Sequence, residues 1–304
     1  MKIVTTAILL VITLIVAIYF SLQYGTSLND LELHGLKVLV IICAISSLYC
    51  FLIGEWTANN SQVDKLWSIL PPVYVWLIAY YSEWNHRLVL MAILTSLWGI
   101  RLTYNFSLKG AYQLKFWLGE EDYRWKILKK KPEFQAKWKW TLFNLFFISL
   151  YQNFLILLFT LPALIALQFK QIPLTMWDYL FSILMLVFIV LEAIADLQMW
   201  KFQNEKLDPE FNSSNQHKRG FIQSGLWAYS RHPNYFAEQS IWLCFYLIAA
   251  AASGQWLNWS ITGLILLVLL FQGSANFSEE ISASKYPEYQ NYQKTVSKFI
   301  PWFK

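Results

Sequence analysis

The feature that most constrains this chain is the length of its uncharged runs. Between Glu238 and Glu279 lie 40 consecutive residues without an Asp, Glu, Lys or Arg. At ~1.5 Å per residue, a single helix of this length would measure about 60 Å, twice the hydrocarbon thickness of a bilayer. The run is therefore predicted to be a helical hairpin that crosses twice and turns at Ser253-Gly254. Only 14% of the 304 residues are charged and 57% are hydrophobic, too few charges to cover a water-facing surface of this size.

Six further segments are apolar enough, and long enough at roughly 20 residues, to cross a bilayer. They lie between Lys2 and Asp30, Lys37 and Glu55, Lys65 and Glu83, Arg87 and Phe106, Lys139 and Lys170, and Pro173 and Trp200. The first is interpreted as a retained span, because its apolar run exceeds that of a usual signal peptide. The sequence predicts an all-α, multi-pass transmembrane helical bundle of about eight spans, or seven if one early segment is re-entrant. Residues 1–57 would form two N-terminal helices, and residues 58–304 the main membrane domain.

The distribution of basic residues predicts the orientation of this bundle. With a cytoplasmic N-terminus, 20 of the 24 Lys and Arg fall on the inner side, three on the outer side, and Arg101 within a span. Such asymmetry indicates that both termini and the long polar loops are cytoplasmic, at a bacterial inner membrane or a eukaryotic endoplasmic reticulum. The formal charge of +5 is too mild to indicate nucleic acid, and three cysteines in apolar runs support neither a disulfide framework nor a zinc site.

The densest group of polar residues occupies positions 225–238, at the predicted cytoplasmic start of the seventh span. Pro233 suits the first turn of a helix, where its missing N–H has no helical partner. Four polar residues then fall along one helix face: Arg231, Asn234, Tyr235 and Glu238. Free N–H groups at the helix start and the Arg231 guanidinium would suit a phosphate, and Glu238 could accept from a ribose or an amide. The alternative is an interfacial anchor in which the Arg and the Glu pair with each other.

Other polar residues of the spans and loops are weaker candidates. Glu192 and Asp196 lie at i and i+4 in the sixth span, and Arg101 is the expected partner of Asp196, in a structural or a functional pair. Asp64, in the first turn of a predicted helix, is explained as well by capping as by function. The tyrosines of the tail favour an amphipathic segment that lies on the membrane surface.

The centre of the 225–238 stretch, Arg231-His-Pro-Asn-Tyr-Phe236, resembles the signature of steroid 5-alpha-reductase-like membrane proteins. Supporting motifs are Asp64-Lys-Leu-Trp67, Trp98-Gly-Ile-Arg-Leu102, Glu121-Asp-Tyr-Arg124, Ala195-Asp-Leu-Gln198, Tyr286-Pro-Glu-Tyr289 and Ile300-Pro301. Their order is similar to that of the uncharacterised branch of the family, over residues 60–301. Membrane sterol reductases and isoprenylcysteine methyltransferases share parts of the central motif, and Ala237 departs from the Gly that relatives usually carry.

The resemblance implies that NADPH is held in a cytoplasm-facing cavity and that an apolar, lipid-like substrate enters from the bilayer. By motif position, the implied cofactor contacts are Arg231, His232, Asn234, Tyr235 and Glu238, with Asp196, Arg124, Glu279 and Glu280 as further candidates. Residues 195–304 would then be the cofactor-binding region. The expected reaction is reduction of a carbon–carbon double bond of a sterol-like or other lipid enone, with Asp64, Tyr123 or Tyr235 as proton donor. The alternatives are an S-adenosylmethionine-dependent methyltransferase and a non-enzymatic lipid-binding protein.

Overall fold

The structure is a computed structural model that describes residues 27–208 and 215–302, together with the isolated positions 12, 15, 19 and 23. The first predicted span falls almost entirely outside these ranges. Within them, the regular structure is helical, and one isolated bridge joins Ser230 to Ser297. The α-helices are α1 (Asp30–Thr57), α2 (Gln62–Trp67), α3 (Leu70–Tyr81), α4 (His86–Leu108), α5 (Tyr123–Lys129), α6 (Lys137–Phe143), α7 (Gln152–Thr160), α8 (Pro162–Gln168), α9 (Met176–Leu207), α10 (Asn215–Arg219), α11 (Pro233–Ser253), α12 (Ile261–Lys285) and α13 (Tyr289–Thr295).

Six helical segments of the described chain are long and apolar enough to cross a membrane. They are Asp30–Thr57, His86–Leu108, Lys137–Gln168, Met176–Leu207, Pro233–Ser253 and Ile261–Lys285, and they match the second and the fourth to eighth predicted spans. The protein is therefore an integral membrane protein, and the prediction of an all-α, multi-pass bundle is confirmed. The predicted turn of the last hairpin is also present, because Gly254 follows α11 with a left-handed φ of 67°.

The third predicted span, between Lys65 and Glu83, is not one continuous helix. It is divided into α2 and α3, and α3 has only 12 residues. Pro71 and Pro72 explain the break, because proline lacks an N–H and its ring clashes with the carbonyl four residues earlier. That carbonyl of Ser68 instead faces α4, where a Cβ on Gly99 would lie only 2.6 Å from the oxygen. The expected single span is thus replaced by two short helices, and the second of them, α3, packs closely on α4.

The fifth span contains an unusual helical segment. Between α6 and α7, residues Asn144–Tyr151 form a π-helix, a geometry found mostly as short insertions and frequently at functional sites. The Asn144 side chain is buried and donates from Nδ2 to Oε1 of Glu55 on α1, at 2.8 Å. The amide nitrogen and oxygen of Asn60, also buried, have no hydrogen-bond partner among the described residues. A polar seam is therefore buried between α1 and this span.

The chain divides into two compact units. The first unit comprises Met1–Ile183 and Leu243–Leu267, and the second comprises Leu184–Trp242 and Val268–Lys304. The division predicted from sequence, at residue 57, stays a prediction, and most of the 195–304 region belongs to the second unit.

The first unit contains a buried ion pair at the start of α4. Arg87 donates from Nε to Oδ1 of Asp178 at 2.6 Å, and both side chains are almost fully buried. Its two terminal nitrogens donate to the carbonyl oxygens of Ile172 and Pro173, at 3.0 and 2.9 Å. These bonds tie the connection before α9 to the beginning of α4.

Candidate functional site

The stretch that precedes α11 is fastened to α9 by hydrogen bonds within the second unit. The Leu226 N–H donates to Oε1 of Gln198 at 3.0 Å, and Nε1 of Trp227 donates to the Ala195 carbonyl at 3.1 Å. Gly225 has a φ of 60°, and a Cβ there would lie 2.5 Å from Nε2 of Gln198. The left-handed φ favours glycine at this position.

The C-terminal tail runs parallel to the same stretch. The N–H groups of Arg231 and His232 donate to the carbonyl oxygens of Ser297 and Lys298, at 2.9 and 3.1 Å. The Ser297 hydroxyl donates to the Tyr229 carbonyl at 2.8 Å. The polar motif is thus held between α9 and the tail.

The tyrosines of the tail are packed inside the second unit. Tyr289 and Tyr292 are each 5% exposed and pack against Phe221, and the Tyr292 hydroxyl donates to the Trp227 carbonyl. The prediction of a surface-lying amphipathic segment is therefore wrong for this part of the tail. The tyrosine side of this helix, which the sequence predicts to face the membrane surface, packs against the protein instead.

The Arg231 guanidinium is directed at the tail and at α12. Its Nε donates to Oε1 of Glu279 at 2.7 Å, and its Nη1 donates to the carbonyl oxygens of Gln293 and Val296. Gln293 also donates from Nε2 to Oε2 of Glu279 at 2.8 Å. Only Nη2 is loosely held, at 3.5 Å from Oε2 of Glu279. Arg231 therefore does not pair with Glu238 through these atoms, and Nη2 is the nitrogen with the most donor capacity left.

His232 shares the same carboxylate. Its Nε2 lies 3.0 Å from Oε1 of Glu279, and its ring stacks on Tyr235 with centroids 5.2 Å apart and planes 12° apart. Burial lowers the pKa of His232, and the charges of Arg231 and Lys298 lower it further. The hydrogen bond and the charge of Glu279 raise this pKa, but the net shift is downward. The lowered pKa favours the neutral imidazole, and the tautomer with a proton on Nε2 would donate to Glu279.

The remaining predicted residues of α11 face two directions. Asn234 donates from Nδ2 to Oδ1 of Asp196 at 3.1 Å, toward α9, and accepts the Tyr235 N–H on its own Oδ1 at 3.0 Å. Glu238 is buried, and its Oε1 accepts from Nε1 of Trp242 at 3.0 Å. The predicted common face is thus only partly present, because Asn234 lies against α9 whereas Arg231 lies outside the helix.

Tyr235 and the end of α12 complete the candidate set of the second unit. The Tyr235 ring lies 4.8 Å, between centroids, from that of Phe271 in an edge-type contact, so Tyr235 packs against α12. Glu280, next to the buried Glu279, is exposed. Two groups result: Arg231, His232, Tyr235 and Glu279 form the arginine–histidine cluster, and Asn234 with Asp196 forms the amide–carboxylate pair.

Three predicted residues belong to the first unit, at α2 and α5. Asp64 accepts from Nε1 of Trp125 at 3.0 Å, whereas Arg124 donates to both oxygens of Asp122, at 2.9 and 3.0 Å. Burial raises the pKa of Asp64, and the neighbouring Asp122 raises it further. Burial alone would raise the pKa of Asp122 too, but Arg124 outweighs it and the net shift is downward. Tyr123 is 51% exposed.

A cavity of about 260 Å³ opens on the second unit. It is lined by Arg219, Gln223, Ala228, Glu288, Asn291, Tyr292, Thr295 and Val296. Pockets that bury drug-sized ligands measure about 300–1,000 Å³, so this cavity alone is too small for a dinucleotide. The sequence also did not single out Gln293, which orients Glu279, because an isolated Gln in a polar tail carries no distinguishing pattern.

Comparison with known proteins gives a family but no activity. The family model described as "Protein of unknown function (DUF1295)" matches residues 50–296. An "Uncharacterized protein C594.04c" of Schizosaccharomyces pombe is 37% identical over 278 residues, which cover 84% of this chain and 79% of that protein. No solved structure gives a significant match.

Proposed function

Because the chain belongs to the DUF1295 family, which falls in the steroid 5-alpha-reductase-like superfamily, we propose that it reduces a carbon–carbon double bond of a lipid enone with NADPH. The observation that carries the proposal is the arginine–histidine cluster at the start of α11. Charged and polar side chains in membrane helices are costly and are generally kept for a function. Here Glu279 of α12 holds both Arg231 and His232.

The donor set of the second unit suits a dinucleotide. Glu279 orients the Arg231 guanidinium, and Nη2 retains the capacity to donate to a phosphate oxygen. Asn234 and Asp196 offer an amide and a carboxylate of the kind that bind ribose hydroxyls or a carboxamide. When bound, NADPH supplies the hydride. All the cofactor contacts stay predictions, and Glu238, Glu280 and Arg124 are the ones that this donor set does not include.

The substrate must also receive a proton, and Asp64, Tyr123 and Tyr235 stay predictions for its donor. A carboxyl group with a raised pKa retains a proton at higher pH, and Arg124 keeps the neighbouring Asp122 ionised. Tyr123 is exposed, whereas Tyr235 stacks on His232 and belongs to the same unit as the arginine–histidine cluster.

Titration of the purified protein with NADPH tests the cofactor assignment. Arg231→Ala and Asn234→Ala should each weaken binding at least about tenfold, the equivalent of ~1.4 kcal/mol. Arg219→Ala is the matched control, because Arg219 lies in the same unit but pairs with Glu288 at the surface. Unchanged affinity in both test variants would remove the site assignment.

Arg231→Lys and thermal unfolding without nucleotide separate a lost contact from a lost fold. Lysine retains the charge but has no guanidinium fork to hold Glu279 and the tail together. Weak binding in a variant that unfolds like the wild type would be a loss of contact. Weak binding in a variant that no longer unfolds cooperatively would be a loss of structure.

A non-enzymatic lipid-binding protein is the second candidate. It is favoured by the internal pairing of Arg231 with Glu279 and of Glu238 with Trp242. Thermal unfolding with each nucleotide distinguishes the readings, since a ligand at 100 times its Kd stabilises by about 2.7 kcal/mol. A shift with NADPH supports the reductase, a shift with S-adenosylmethionine supports a methyltransferase, and no shift with either supports lipid binding.

A further inference from the structure

The loop of residues 112–118 follows the end of α4 and presents its large apolar side chains outward. Leu114 is fully exposed, and Trp117 and Leu118 are 37% and 41% exposed. These exposed apolar side chains lie within a stretch of five residues and give the loop an apolar surface. Such surfaces on a folded protein mark sites of contact with a partner or a membrane.

Buried polar side chains of the first unit hold this loop in place. Lys65 is fully buried, and its Nζ donates to the carbonyl oxygens of Phe116 and Leu118, at 2.7 and 2.6 Å. Gln62 donates from Nε2 to the Trp117 carbonyl at 3.0 Å. The Lys65 ammonium also lies 5.5 Å from the centre of the Phe116 ring. Burial of a lysine is costly, so the outward display of the loop is a fixed feature of the fold.

The loop also lies at the level where two membrane spans end. Trp117 lies 6.5 Å, between ring centroids, from Trp56 in the last turn of α1, and Trp56 is 72% exposed. Two lysines are exposed as well: Lys109 before the loop, and Lys115 between Leu114 and Trp117. Tryptophan and lysine together are typical of the membrane–water interface.

We propose that the 112–118 loop inserts Leu114, Trp117 and Leu118 into the boundary between headgroups and acyl chains of the leaflet at which α1 and α4 end. The occupant of this surface is the bilayer itself. A stable protein interface uses about 20–30 residues on each side, far more than this short loop offers. The inference rests on the first unit alone and does not depend on the proposed activity.

Site-specific quenching in liposomes tests the inference with the full chain. Cys43, Cys50 and Cys244 are buried, so a new surface cysteine can be labelled selectively. A fluorophore on Leu114→Cys should be quenched several-fold more by spin-labelled phospholipids, and several-fold less by aqueous iodide, than one on Gln135→Cys. Gln135 is the matched control because it is exposed in the following loop.

Two results would overturn the proposal. Iodide quenching at position 114 equal to that at position 135 would mean that the loop lies in water. Protection from both quenchers would mean that protein covers it, and cross-linking through the new cysteine would then identify a second copy. Lys65→Met gives an independent measurement, because it removes the two hydrogen bonds from Lys65 to the loop. Quenching by lipid at position 114 should then decrease. The variant must still unfold cooperatively in detergent, which shows that it is folded.

Discussion

At the scale of single residues, the position of the polar cluster is clearer from sequence than the contacts within it. The motif around Arg231 indicates an anion site, but the guanidinium is oriented by Glu279, which lies 48 positions later. No local pattern links two residues so far apart. Only the packing of α12 and the tail brings the carboxylate, Gln293 and the Val296 carbonyl around the same side chain.

Replacement of Glu279 tests whether this carboxylate is the centre of the cluster. Glu279→Gln should lower the free energy of unfolding by about 1.5–3 kcal/mol, because it weakens charge-assisted bonds to Arg231 and His232. Glu280→Gln is the control: the residue is adjacent but exposed, so its effect should stay within about 0.5 kcal/mol. Chemical denaturation in detergent measures both, and equal effects would mean that the network does not stabilise the fold.

The lowered pKa of His232 makes stability depend on pH in a defined direction. The unfolded chain binds the proton near pH 6.5, whereas the folded chain binds it only at lower pH. Stability should therefore be fully present above about pH 6.5 and decline as the pH falls toward the folded pKa. The groups that face the imidazole are Glu279, Arg231, Lys298 and Tyr235. A control variant that changes only His232 leaves all four in place.

The control variant is His232→Gln, which cannot titrate. Thermal unfolding of the wild type and of this variant is measured between pH 5 and 8. As the pH falls, the unfolding temperature of the wild type should decrease more than that of the variant. Parallel curves would exclude His232 as the titrating group.

At the scale of elements, the sequence predicts helices well and their interruptions poorly. Long uncharged runs identify the spans because a helix must be apolar along its whole length to lie in lipid. The length of the uncharged run does not predict the break between α2 and α3, because hydropathy alone does not register the steric effect of Pro71 and Pro72. The π-helix at Asn144–Tyr151 has no sequence signal of this kind.

Close packing of α4 on the break can be tested with a pair of glycine variants. A Cβ on Gly99 would lie 2.6 Å from the Ser68 carbonyl and 2.9 Å from Cγ of Pro72, so Gly99→Ala should destabilise by about 1–3 kcal/mol. Gly273, in α12, has no atom within 4 Å of a Cβ. Gly273→Ala should therefore be neutral or slightly stabilising, by up to about 1 kcal/mol. Equal thermal midpoints for the two variants would contradict the packing.

At the scale of the whole molecule, charge spacing alone was sufficient to predict the class of protein. The count of charges and the length of apolar runs predict an integral membrane bundle, and six spans of the described chain bear this out. The compact units could not be predicted in the same way. Each combines segments distant in sequence, since α11 begins in the second unit and ends in the first. The orientation in the membrane stays a prediction from the positive charges.

The ion pair of Arg87 with Asp178 has a practical consequence for how that orientation can be determined. The carbonyl oxygens of Ile172 and Pro173 accept hydrogen bonds from Arg87. A reporter domain inserted at this connection would break these bonds and leave the buried Arg87 without part of its partners. Gly254 instead has open space around it, at a turn predicted to lie on the same face of the membrane. A glycosylation or phosphatase tag spliced after Gly254 should leave the fold intact and reveal which compartment that face meets.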